Sequence, residues 1–241
     1  MTGKVKITKN GPYIVSGGLP LAKEKSVVGK EGEPEKWVKG GKYPAQGNYA
    51  LCRCGNSSNK PFCDGTHAAT GFDGTETASR HKHHRQANRV DGPSVGLADA
   101  PSFCAAARFC HLAGGTWENA KNSGNARARK MAIQTACNCP SGRLVAYDKK
   151  TRKAIEPKFK PSISLIEDTQ AKVSGPAWLK GGIELESANG RKYEVRNRCT
   201  VCRCGKSGNK PFCDGTHISA GFNDGDASVS GAKAKKKPKQ S

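Results

Sequence analysis

The chain has 241 residues and a formal net charge of +21, while Leu, Ile, Val and Phe together supply 36 residues, 15% of the total. So little apolar surface beside so much charge falls in the range of disordered chains and excludes a single large hydrophobic core. No apolar run approaches the roughly 18 residues of a spanning helix, yet 11 cysteines and a repeated block point to order, with metal expected to supply the missing core.

The opening stretch, MTGKVKITKNGPY, has no apolar h-region, so no secretory signal is expected. A reduced, cytoplasmic setting then makes the odd number of cysteines metal ligands rather than a disulfide framework. Residues 4–8 alternate and 13–15 are β-formers, which predicts two short strands. The charged, glycine-rich stretch 24–42 reads as a loop, and the first cysteine block follows it. Residues 76–100 form a basic linker without a period, whose His81, His83 and His84 read as a solvated segment rather than a metal site. A separate central unit spans 101–160. In it Ser102 is placed to cap a short helix through Phe109, Asn125 to cap a second from 126 to about 136, and 144–147 reads as a strand. Further strands are expected at 177–179, 183–185 and 192–196. The lysine-rich end, 233–239, reads as a disordered, solubilising tail from 225 onward.

The chain repeats itself. Cys52 to His67 reads CRCGNSSNKPFCDGTH and Cys202 to His217 reads CRCGKSGNKPFCDGTH, 14 of 16 positions alike at an offset of 150. Gly11-Pro12 and Gly17-Gly18 are echoed by Gly175-Pro176 and Gly181-Gly182, and Gly71-Phe72 by Gly221-Phe222. Two copies of one module therefore occupy 1–75 and 161–224, the first longer by 14 residues ahead of its cysteines, and they suggest an intramolecular pseudo-dimer. Each block is C-x-C-x8-C-x3-H: Cys52, Cys54, Cys63 and His67, then Cys202, Cys204, Cys213 and His217. Three thiols and an imidazole within 16 residues can close around a metal centre. Asp64 and Asp214 stand where they would cap a helix leading to the histidine, and Arg53, Lys60, Arg203 and Lys210 would offset the charge of an anionic centre. A zinc site with the same ligands is the alternative, although zinc sites favour C-x2–4-C over the tight C-x-C.

Both blocks resemble the CDGSH iron–sulfur domain (NEET-type) family, whose motif is C-x-C-x2-(S/T)-x3-P-x-C-D-G-(S/T/A)-H. The fit includes Ser57, Pro61, Asp64, Gly65 and Thr66, then Ser207, Pro211, Asp214, Gly215 and Thr216. The resemblance implies a 2Fe–2S cluster in each block, held by three cysteines and one histidine, under a β-rich cap. The expected fold class is α+β: small, irregular, metal-stabilised domains, with two β-cap-plus-cluster-lobe modules around a small helical and β central unit.

The stretch from about 100 to 147 resembles a divergent single-cluster ferredoxin, on the strength of Cys139-Pro140. The C-x2-C-x2-C run is replaced by C-x5-C and C-x-C, leaving Cys104, Cys110, Cys137 and Cys139 as candidate ligands of a third, 4Fe–4S cluster. In one unbroken helix over 103–111, Cys104 and Cys110 would point about 240° apart, whereas Cys104 and His111 would share a face. The remaining Cys199 stands where the first copy has Tyr49 and reads as packing. No phosphate loop, GxSxG, HExxH or dinucleotide fingerprint is present, so a carrier is expected rather than an enzyme. The leading expectation is one-electron transfer with an unidentified redox partner. The alternative is a pH- or redox-responsive donor of 2Fe–2S clusters to an apo iron–sulfur protein. A zinc-stabilised nucleic-acid-binding protein ranks third, since only 6% of residues are aromatic.

Overall fold

The computed structural model describes residues 3–44 and 46–229, so the lysine-rich end lies outside the described residues. In chain order the elements are β1 (Lys4–Ile7), β2 (Tyr13–Ser16), β3 (Leu21–Val28), β4 (Pro34–Lys42), β5 (Tyr49–Leu51), α1 (Thr66–Ala69) and α2 (His83–Gln86). They continue with β6 (Asn88–Val90), β7 (Val95–Asp99), α3 (Thr116–Lys121), α4 (Ala126–Asn138), β8 (Leu144–Asp148) and β9 (Ala154–Ile155). The last four are β10 (Ser162–Asp168), β11 (Val173–Lys180), β12 (Glu184–Glu186) and β13 (Arg198–Val201). Among the described residues the architecture is mixed α and β, mostly strands, in three sheets.

Two sheets carry the repeated modules, and each borrows from the other. The first runs β12-β1-β2-β5, the second β13-β11-β10-β3-β4. The borrowed strands lie in equivalent places: β12 pairs parallel with β1, Lys4 opposite Glu184, and β3 pairs parallel with β10, Leu21 opposite Ile163. Short alternating strands make this possible, because Val5, Ile7, Tyr13 and Val15 face inward while Lys4 and Lys6 face water. The inner faces share one core that includes Ile7, Val15, Leu51, Ile163, Leu165, Leu179, Leu185 and Val201. Cys199 sits in that core, 8% exposed, as a packing residue.

The expected loop over 24–42 is instead the β3–β4 hairpin, closed by a turn in which the Gly29 amide donates to the Glu33 carbonyl. Its strands lack an apolar face to read. Glu24 turns inward to accept from the Ser164 hydroxyl at 3.0 Å and to pair with the Lys180 ammonium, while β4 presents charged side chains at the sheet edge.

The central unit is an antiparallel sheet, β6-β7-β8-β9, under α3 and α4, with a small core of Val95, Leu97, Ala120, Ala132, Ala136, Leu144 and Ala146. Asn125 does cap α4, its side chain accepting from the Arg127 and Ala128 amides. Residues 76–100 are not without structure, since they hold α2, β6 and β7, and Val95 and Leu97 are fully buried. His83 is buried too, its ring Nε2 3.0 Å from the Arg143 carbonyl, whereas His81 and His84 are exposed. The helix expected from Ser102 to Phe109 breaks into two 3-10 segments, Pro101–Phe103 and Phe109–Gly114. Between them Ala106 and Arg108 take left-handed backbone at φ 53° and 60°, which ends any helix. Residues 192–196 form no strand, only a single bridge from Lys192 to Glu186.

Candidate metal centres

Each cysteine block begins where a short strand ends. β5 delivers Cys52 and β13 delivers Cys202, and the loop folds back so that the Cys52 amide donates to the Pro61 carbonyl at 2.8 Å and the Cys202 amide to Pro211 at 2.8 Å. The Ser57 and Ser207 hydroxyls donate to the Phe62 and Phe212 carbonyls, at 2.6 and 2.7 Å, and hold the loop shut. Asp64 accepts from the Ser58 and Thr66 amides, and Asp214 from those of Gly208 and Thr216. The expected cap is thus an Asx turn that precedes the helix. The cap residue of the four-residue α1 is Gly65, at φ 90°, and the second copy has only a turn there. Arg53 and Arg203 do not face a centre as counter-charges. Arg53 is 1% exposed and donates to the Gly11, Gly74 and Thr8 carbonyls; Arg203 holds the Gly175 carbonyl, Glu167 and Asp224.

The ligand side chains fall into pairs. Cys52 and Cys54 sulfurs are 3.7 Å apart, and the Cys63 sulfur lies 3.3 Å from His67 Nδ1. In the second copy the corresponding separations are 3.7 and 3.4 Å. Two thiolates on one tetrahedral metal, with bonds of about 2.3 Å, stand about 3.7 Å apart, so each pair has the spacing of two ligands on one metal. Among the described residues no three His, Cys, Asp or Glu side chains gather closely enough to hold a single ion. Two donor pairs side by side, all soft or borderline, fit a two-iron centre better than one zinc.

The copies differ in what covers them. His67 is half-buried and a Cβ on Gly65 would meet nothing within 4 Å, whereas His217 is 3% exposed and a Cβ on Gly215 would lie 3.0 Å from the Ala106 Cβ. The covering layer is the 104–108 loop of the central unit. Ala105 and Ala107 line a small crevice with His217, Trp37 and Asp168, and the Arg108 guanidinium pins the loop to the Asp168 carboxylate at 2.5 and 2.6 Å. Burial pushes the His217 imidazole down to about 4 and the Cys213 thiol well up.

Cys104, Cys110 and Cys139 line one cavity on the other side of the same loop. Burial, and then the neighbouring Cys139 and Cys104, push the Cys110 thiol up to about 12. Arg143, paired with Asp99, also lines that cavity and would supply positive charge beside bound thiolates. Cys137 does not join them. It lines a different groove, and its sulfur lies 3.5 Å from the Ile155 carbonyl. The exposed His111 is also outside the cavity, because the helix that would have aligned it with Cys104 does not form.

Two residues that hold this arrangement escape sequence reading. The Tyr13 hydroxyl donates to the Cys202 carbonyl at 2.9 Å, bridging the first module to the second block across 189 positions. Arg198 is fully buried, and its guanidinium donates to the Ala136 and Cys139 carbonyls at 2.6 and 2.7 Å, fastening the end of α4 to the second module. Its only sequence signal is a charged residue at the head of an otherwise apolar strand, where the first copy has Asn48. The two blocks also touch directly. A Cβ on Gly55 would lie 2.5 Å from the Cys204 carbonyl oxygen, and one on Gly205 2.3 Å from that of Cys54.

Residues 10–68 and 174–218 match the family described as iron-binding zinc finger, CDGSH type, and residues 90–149 match the divergent 4Fe-4S mono-cluster family. Among curated proteins and solved structures no match is found. No helix among the described residues is long and apolar enough to cross a membrane. The chain is thus an iron–sulfur cluster protein in which two modules of the CDGSH family flank a divergent 4Fe–4S mono-cluster segment.

Proposed function

We propose that the chain is a one-electron carrier with three centres: 2Fe–2S at Cys52, Cys54, Cys63 and His67, 2Fe–2S at Cys202, Cys204, Cys213 and His217, and a 4Fe–4S-type centre at Cys104, Cys110 and Cys139. When bound, such clusters accept and return single electrons, and an imidazole ligand raises the potential above that of an all-thiolate site. The observation that carries the reading is the shared wall: loop 104–108 faces His217 on one side and the three-cysteine cavity on the other. Ala107 stands where a C-x2-C-x2-C run would have its middle cysteine, which leaves the central centre three thiolates from the chain. The chain's own residues then divide the work. Ala105, Ala107 and Trp37 keep water from His217, Arg108 and Asp168 hold the loop closed, and the half-buried His67 gives a partner access to the first module. The two modules act as an intramolecular pair through their exchanged strands.

The test is the metal content of anaerobically purified protein. The expected yield is about eight irons per chain, falling to about four in Cys139→Ser and staying at about eight in Cys137→Ser. Iron loss in Cys137→Ser, or none in Cys139→Ser, overturns the central ligand set. The exposure of His67 favours a second reading, cluster donation. Incubation with an apo-ferredoxin separates the two: the carrier reading requires electron exchange to outrun transfer of iron and sulfide, and the reverse order replaces it.

A further inference from the structure

A groove of about 940 Å³ opens on the outer face of the five-stranded sheet, beside the end of α4, and none of the proposed metal ligands lines it. Its volume suits a ligand of nucleotide size. Aromatic rings form its walls: Trp37, Tyr43 and Phe159, each half-buried, around a buried Trp178. Trp178 lies 5.4 Å from the Trp37 ring and 5.5 Å from Phe159, the latter edge-on. Such rings present flat apolar surface to a planar group.

The rim is basic. Lys36, Lys39, Lys42, Lys158 and Lys160 are all exposed along it, and none forms an ion pair with an acidic group among the described residues. The one carboxylate among the described lining residues, Glu24, is already taken by Lys180. The charge of the rim is therefore left for an anion.

We propose that this groove binds a planar aromatic anion: a ring system bearing a phosphate or carboxylate. The ring lies among the aromatic walls and the anionic group meets the lysine rim. Trp37 also contacts Phe109 at 4.7 Å, next to Cys110, so an occupant sits one tryptophan away from the central cysteine loop. The site stands whether or not the chain carries electrons, because it rests on none of the metal ligands.

Equilibrium dialysis of the full, cluster-loaded chain tests it, with flavin mononucleotide as the probe and riboflavin and inorganic phosphate as its separated halves. The expected result is one saturable flavin mononucleotide site per chain, with riboflavin and phosphate each at least about tenfold weaker. Replacing three rim lysines together, Lys39→Gln, Lys42→Gln and Lys160→Gln, should weaken flavin mononucleotide about tenfold and leave riboflavin unchanged. Absence of saturable binding below about 1 mM, inorganic phosphate binding as tightly as the nucleotide, or an unaltered affinity in the lysine variant overturns the proposal.

Discussion

The two cysteine blocks are nearly identical, yet they occupy opposite surroundings. The first opens its histidine toward solvent; the second has a layer of the central unit laid over it. The residues responsible lie outside the blocks. Arg198, in place of Asn48, docks α4 beside the second block, and Arg108 closes the loop onto Asp168. Arg53 donates to backbone carbonyls and lies over the Tyr13 and Phe72 rings, whereas Arg203 is enclosed by Glu167 and Asp224, the latter standing where the first copy has Gly74. The lesson is that one ligand set is given two characters by burial and charge supplied from a distance, as outer residues do around metal sites generally.

Acid should separate the copies most strongly. A protonated imidazole cannot bind metal, and burial disfavours the protonated form of His217, whereas His67 lacks the covering loop. Iron should therefore leave the first block well before the second as pH falls, followed by visible absorbance in chains with one block inactivated by Cys52→Ser or Cys202→Ser. Equal rates in the two single-block chains would remove the distinction. Arg108→Ala should then narrow the gap, speeding loss from the second block about fivefold to tenfold by loosening the loop over His217 while leaving the first block as it was.

The smallest expected effect concerns the acids around Arg203. Burial raises the Glu167 carboxyl to about 7 against the lowering pull of Arg203. Between its ordinary value and about 7 the folded chain keeps a proton that the unfolded chain releases, so stability falls as pH rises through that interval. Asp224 is lowered, and its contribution is lost only as pH falls below the ordinary carboxylate range. From pH 6 to pH 8, Glu167→Gln should therefore abolish a decline of about 1 kcal/mol, measured by urea unfolding at the two values. Among the described residues no acidic side chain forms an ion pair with Arg53, so the first module should contribute no such slope between pH 6 and pH 8.

What could be read from the sequence was local. The ligand spacing of the blocks, the strands at β1, β2, β8 and β12, and the Asn125 cap each depend on residues a few positions apart. The β3–β4 hairpin was hidden because Glu24 and Ser26 are buried polar residues whose partners, Ser164, Lys180 and Thr169, lie 140 or more positions away. The path between the central cysteines was hidden for a related reason. Ala106 and Arg108 carry no signal for left-handed backbone, and the Asp168 that fixes Arg108 belongs to a distant strand. With that bent loop in place of a helix, Cys104 and Cys110 line the same cavity, while Cys137 lines another groove.

The exchange of strands also sets an order of assembly. The sheet that delivers Cys52 has β12 as its edge strand, and β1, paired on one side with β2, finds its other neighbour only at Glu184–Glu186. A contact spanning that much chain closes slowly, because the entropy of the intervening loop is lost before the pairing rewards it. During synthesis the first module therefore waits, one strand short, until the central unit and the opening strands of the second module have emerged. The copy that is translated first stays open until its duplicate is already under way.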